Sequence, residues 1–228
     1  MDYYYLVLVI PTLILSLIAQ IMVKSAFAKY SKIQCSRNIT GQGAAALLMQ
    51  MNAITDVSIE QVEGSLTDHY DPRAKKLRLS DPVYGQPTIA AVGVAAHETG
   101  HAIQHAKGYG PLALRSTLVP VANIGSKFGP LLAFAGLAFS IQILLNLGII
   151  FFGAAVLFYL ITLPVEFNAS ARALAILRVN NVLTEEELKG VKKVLTAAAM
   201  TYVASALTAI MSLLRLVLLS RGRGRRRR

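Results

Sequence analysis

The sequence predicts an α-helical integral membrane protein with about four transmembrane helices and a small α+β domain. Three observations carry that expectation. Apolar residues make up 54% of the 228 positions and charged residues only 15%, whereas soluble domains average about 25% charged. Residues 3–23 contain no charge and match the roughly 20 apolar residues a helix needs to cross a hydrocarbon core about 30 Å thick. Residues 128–165 are uncharged throughout, which suits two spans joined by a turn. The same composition excludes intrinsic disorder, which requires low hydrophobicity. A single cysteine, Cys35, excludes an intrachain disulfide framework and a zinc site built from several thiolates. The net charge of +11 is concentrated: the closing residues RGRGRRRR hold six arginines, and without them it falls to +5.

Taken in order, residues 3–23 form the first span, in which Pro11 is tolerated as it is in membrane helices. A cleavable secretory signal fits poorly, because no Lys or Arg precedes the apolar run and no small-x-small site follows it. Segment 24–116 is polar. In it Thr40 caps a helix over 42–52 with Leu47, Leu48 and Met51 on the buried stripe. Residues 57–62, 65–70 and 75–80 read as strands of a small antiparallel sheet, the last two joined by the turn Asp71-Pro72-Arg73-Ala74. Leu77 and Leu79 face one way, with Lys76, Arg78 and Ser80 facing the other. Pro87 and Thr88 open a helix that runs to about Lys107 and ends at Gly108. Residues 117–165 form a transmembrane hairpin that turns near 142–148, with Lys127 snorkelling. A helix starts at Pro164 and continues through Arg178. Segment 166–195 then connects through a capping box, Thr184 with Glu187, to the last span at 196–219. That span is rich in small residues suited to close packing, and its Arg215 is near enough to the end to reach headgroups. Residues 220–228 form a basic tail.

An even number of spans separates 24–116 from 166–195, so both polar segments face the same side. Eleven Lys and Arg residues flank the spans there, against six in the tail, and the positive-inside rule places that side in the cytoplasm. The expectation is a multi-pass protein of the plasma membrane whose site faces the cytoplasm. The arginine tail suits anionic lipid, and nucleic acid is not an expected partner. Oligomeric state is not legible.

Residues 97–101 read HETGH. Histidines at i and i+4 lie one helical turn apart on one face and can share a zinc ion. Glu98 points near the same opening, placed to take a proton from a metal-activated water. The run before it, Ala90 to Ala96, is small and apolar, so this helix is packed. Burying His97, Glu98 and His101 without partners is costly, and a cation removes that cost. His105 is about 12 Å of rise from His97, too far for both to hold one ion, which leaves it a supporting or structural place. Glu166 is the acidic residue that stands where a span exits on the shared side, and it completes a His-His-Glu set for one Zn2+. Ser170, one turn on, shares its face and can orient a ligand histidine. His69, Tyr70, Tyr84 and Arg172 are candidates to stabilise an oxyanion.

HETGH followed by E-x-x-A-S resembles the membrane gluzincins of the heat-shock and CAAX-processing type, although those families usually carry Asp where Ser170 stands. The segments LTDHYDPRAKKLRLS, AVGVAAHETGHAIQHA and LPVEFNASARAL are more similar to the YugP-like family of membrane zinc metallopeptidases, and the likeness covers nearly the whole chain. It implies a zincin-like catalytic domain, zinc at His97, His101 and Glu166, and Glu98 as the catalytic base. The activity so implied is a zinc-dependent metalloendopeptidase acting on membrane-associated or unfolded polypeptides, with substrate extended along the sheet edge before the HETGH helix. Two other readings compete. An intramembrane site-2-type protease takes a late Asp as third ligand, and no Asp follows Asp81. A non-enzymatic metal-binding scaffold or transporter needs a fourth protein ligand for a closed structural site, and none is evident.

Overall fold

The computed structural model describes the backbone of residues 2–226 and the side chains of residues 2–221. The expected contribution of the arginine tail therefore falls mostly outside the described side chains. Among the described residues seven helices and three strands follow in the order α1 (a π-helical turn Tyr5–Val9 leading into Ile10–Tyr30), α2 (Gly41–Met51), β1 (Ser58–Val62), β2 (His69–Asp71) and β3 (Lys76–Ser80). Then come α3 (Asp81–Tyr84), α4 (Ile89–Ala106), α5 (Gly110–Phe139), α6 (Gln142–Val179) and α7 (Glu185–Arg226). Among the described residues α1, α5, α6 and α7 are long and apolar enough to cross a membrane, as the charge-free stretches require.

The chain forms two compact units. One comprises Met1–Gln20, Leu114–Leu163 and Thr201–Arg228 and is helical. The π-helical turn precedes Pro11, which cannot donate to the carbonyl four residues back, so the local hydrogen-bond ladder is rewired at the point proline disrupts it. In the hairpin, an added Cβ at Gly129 would lie 2.7 Å from the Phe152 backbone nitrogen. Glycine there lets the two helices touch backbone to backbone, as small residues do in membranes. The turn sits at Ser140 and Ile141, with Ser140 at φ 61°. Residues 142–148 are helical instead, and Gln142 Nε2 donates to Asn146 Oδ1 one turn on. Arg215 does not reach out alone: its guanidinium pairs with Asp2 at 2.6 Å and lies over the rings of Tyr5 and Phe134. A charge inside an apolar helix is thereby matched.

The other unit comprises Ile21–Ala113 and Pro164–Met200. Its core gathers Leu48, Leu77, Leu79, Val83, Ile103, Leu177 and Val191, all fully or almost fully buried. Thr40 caps α2 by accepting from the Gly43 amide. On that helix Leu48 and Met49 are buried while Met51 is exposed, because the inward face also carries Ala44 and Ala45 and is set one position later than the apolar periodicity suggested. The sheet is mixed rather than antiparallel, in the order β1-β3-β2. The tight turn, where the Asp71 carboxylate accepts from the amides of Arg73 and Ala74, makes β2 and β3 antiparallel. The link at 63–68 carries the chain past the place β3 later fills, so β3 returns beside β1 in parallel. Ser80 is buried as well, donating its hydroxyl and amide to Asp68.

Thr88 caps α4 by accepting from the Ala91 amide, and Gly108 ends it at φ 62°. The capping box at α7 forms as expected: Glu187 accepts from the Thr184 amide at 2.7 Å and Thr184 Oγ1 accepts from the Glu187 amide. Two boundaries differ. No helix starts at Pro164, which lies inside the 38-residue α6, and no break separates 195 from 196 in α7. Pro164 costs α6 one hydrogen bond without interrupting it.

Candidate metal centre

Helix α4 supplies His97, Glu98 and His101, and α6 supplies Glu166. The two helices meet because of Gly100. A Cβ on that residue would stand 2.7 Å from the Ala169 carbonyl oxygen, so only glycine lets the α6 backbone settle against this turn of α4. The approach brings Glu166 Oε2 to 3.3 Å from His97 Nε2 and 3.7 Å from His101 Nε2. One donor atom from each residue lies within 4.8 Å of the others. Two ligands on one tetrahedral zinc at about 2.0–2.1 Å stand about 3.4 Å apart, so two imidazole nitrogens and a carboxylate oxygen at these separations fit that ion. His101 and Glu166 are buried and His97 is half-buried, which excludes most competing water from the set.

The outer partners orient these ligands. Gln104 Nε2 donates to the Val165 carbonyl at 2.8 Å and to Asn168 Oδ1 at 3.0 Å. With both amide hydrogens directed at acceptors, its Oε1 faces His101 Nδ1 at 3.0 Å and can only accept. The proton of His101 therefore sits on Nδ1, and the Nε2 lone pair is left for a metal. Asn168 Oδ1 also accepts from Arg172 Nε at 2.7 Å, so Arg172, Asn168 and Gln104 form one line ending on the ligand. Ser170 Oγ lies 3.1 Å from His97 Nδ1, the contact its helix position suggested. Replacing Gln104 by Leu is expected to weaken zinc binding about 10–100-fold, the usual cost of losing such a partner, read by competition with a chromophoric chelator. An unchanged affinity would show that the Gln104 contact does not set the imidazole.

Glu98 is buried, and burial lifts its carboxyl to about 7, while His97 and the Tyr70 backbone amide favour the charged form. A base poised there suits proton transfer near neutral pH. The Tyr70 influence also locates β2, an edge strand, beside Glu98. β3, the last strand before the helix, is central.

The remaining sequence candidates make other contacts. His69 is exposed, its ring facing the Thr67 carbonyl at 2.8 Å and Arg78 at 3.2 Å. It pairs in register with Arg78, and strand alternation puts both opposite the inward-facing Leu77 and Leu79. Arg172 bonds Asn168 and lies 6.0 Å from the Tyr109 ring centroid. Tyr70 contacts His105 Nδ1 through its hydroxyl at 2.7 Å, tying β2 to the end of α4, and burial pushes its phenol up to about 12. Tyr84 packs against the core. Sequence reasoning missed Gln104, Asn168 and Gly100. Gln104 was detectable in principle, since i+3 from His101 shares its face.

The chain is similar to known proteins over nearly its whole length. A family model described as "Putative neutral zinc metallopeptidase" matches residues 5–221. A curated relative, "Putative membrane protease YugP" of Bacillus subtilis (strain 168), is 49% identical over 215 residues, covering 94% of this chain and 96% of the relative. No solved structure matches.

Proposed function

The chain belongs to the neutral zinc metallopeptidase family matched above, and from that premise we propose that it is a membrane-embedded zinc metalloendopeptidase. The observation that carries the reading is the convergence of His97, His101 and Glu166 within 4.8 Å, next to a buried carboxylate that belongs to none of them. The catalytic domain in this reading is zincin-like and gluzincin-type, built from 24–116 and 166–195, with 117–165 and 196–219 as membrane segments. It lies on the cytoplasmic side of the plasma membrane by the distribution of Lys and Arg. Its substrates are membrane-associated or unfolded polypeptides.

Zinc, when bound, supplies a Lewis acid and an acidified water. His97, His101 and Glu166 would hold it, His97 beside Ser170 of α6 and His101 beside Gln104 of its own helix. Glu98 accepts the proton of the attacking water and passes it to the departing amine. Burial serves the first of these steps, because it penalises the charged carboxylate and so favours its taking up a proton. The free edge of β2 receives an extended peptide through main-chain hydrogen bonds, next to Glu98 and without demanding a particular sequence. Arg172 acts on the site through Asn168 and Gln104, and His69 is left to brace β2 against Arg78.

The test is zinc quantification on the purified full chain beside cleavage of an unfolded protein substrate. One bound zinc is expected, with cleavage lost on chelation and restored by zinc. Undiminished cleavage by metal-free protein would overturn the reading.

A further inference from the structure

Within the unit that holds the metal centre, α1 and α7 flank a groove of about 1150 Å³, roughly the upper size of small-molecule sites. Its two walls run antiparallel and grade in the same direction. Ile21, Met22 and Ala197 line one end, where each wall passes into its uncharged stretch. Toward the other end stand Lys193 and Lys192, then Lys29, about 12 Å of helical rise beyond Ile21. The acidic residues of the lining are already engaged. Glu186 pairs with Lys189 at 2.8 Å, and Glu187 accepts from the amides of Ser36 and Thr184. Lys29, Lys192 and Lys193 are exposed; Lys29 lies 5.6 Å from the Tyr30 ring centroid and the charge of Lys193 acts on Glu186, but none of the three is in a close ion pair among the described residues. The floor is close-packed, since a Cβ on Gly190 would meet the Tyr30 ring at 2.8 Å.

We propose that this groove binds one anionic phospholipid of the adjoining leaflet, its phosphate among Lys29, Lys192 and Lys193 and an acyl chain along Ile21, Met22 and Ala197. A soluble anion would use the lysines and leave the apolar end unused, whereas a neutral lipid would leave the lysines unmatched. Only an anionic amphiphile matches the whole gradient. Basic pockets at the ends of membrane helices take such headgroups for this reason. The inference rests on the membrane character of the chain and is independent of proteolysis.

The chain contains no tryptophan, so Met22→Trp introduces a single reporter at the apolar end. The full-length variant is reconstituted in phosphatidylcholine vesicles carrying a minor fraction of acyl-brominated phosphatidylglycerol or, in parallel, acyl-brominated phosphatidylcholine. Brominated phosphatidylglycerol is expected to quench the reporter as though enriched on the order of a hundredfold, the order three lysines near the surface produce. Adding Lys29→Gln, Lys192→Gln and Lys193→Gln is expected to abolish the excess, and replacing the arginines of 221–228 by Gln is expected to leave it. Equal quenching by the two lipids overturns the site. So does an excess that survives the lysine changes or disappears with the arginines.

Discussion

Glu166→Gln is expected to leave the purified protein with well under one equivalent of zinc and no measurable peptide cleavage. The loss exceeds the roughly 10–100-fold attached to an outer partner, because the substitution removes one of three donor atoms that lie within 4.8 Å. Glutamine keeps the length and shape of the side chain, so the packing of α4 against α6 at Gly100 survives and a fold defect is not the cause. Glu166→Asp tests the distance directly. Its carboxylate is one methylene shorter, while the α6 backbone is already in contact with α4 through Ala169 and Gly100 and cannot move closer. Zinc is therefore expected to remain weak in the aspartate variant as well. Metal analysis together with circular dichroism separates the outcomes: a folded Gln variant that holds a full equivalent of zinc would remove Glu166 from the ligand set.

Glu98→Gln is expected to lower turnover about 10²–10⁴-fold, the usual contribution of a positioned general base, with zinc retained near one equivalent. A variant that cleaves like the parent would end the assignment of Glu98. The same substitution has a second, opposite consequence in the metal-free protein. Burial raises the Glu98 carboxyl from 4.5 to about 7 in the folded state, so the native chain holds this proton more tightly than the unfolded chain does. Its contribution to stability is complete below about pH 4.5 and is lost as pH rises to about 7, by about 3 kcal/mol in total. Glutamine does not ionise and escapes this loss. Denaturation of the metal-free proteins at pH 5 and pH 8 is expected to show the variant gaining on the parent as pH rises. Parallel stability curves would mean that Glu98 stays charged in the folded chain.

Much of this was legible along the chain, for reasons particular to each element. The caps at Thr40 and Thr184 and the helix start at Thr88 were readable because such signals lie within about four residues. The inward faces of Leu77 and Leu79 followed from alternation along one strand. His97 and His101 fell on one face because helical spacing is local. Glu166 was reached by elimination among the few acidic residues, and Ser170 by its one-turn spacing from Glu166. Strand order was not readable: a mixed β1-β3-β2 sheet and an antiparallel one demand the same alternation, and only the path of 63–68 separates them. Met51 was placed inward by periodicity, yet the tertiary contacts of α2 chose the face carrying Ala44, Ala45 and Met49. His69 had the right chemistry for the site, but its register with Arg78 turned it outward.

The amino-acid order alone determined which stretches are apolar enough for a bilayer, where helices begin, and which two imidazoles share a face, since each depends on neighbours a few residues apart. Tertiary structure alone decided that Glu166 meets those imidazoles, that Gln104 sets the proton of one of them, and that β2 is the strand beside Glu98. These depend on two backbones pressed together at Gly100 and on a strand inserted between two others. The contact of Glu166 with His97 joins residues about seventy positions apart, and its energy arises from packing that no local pattern encodes.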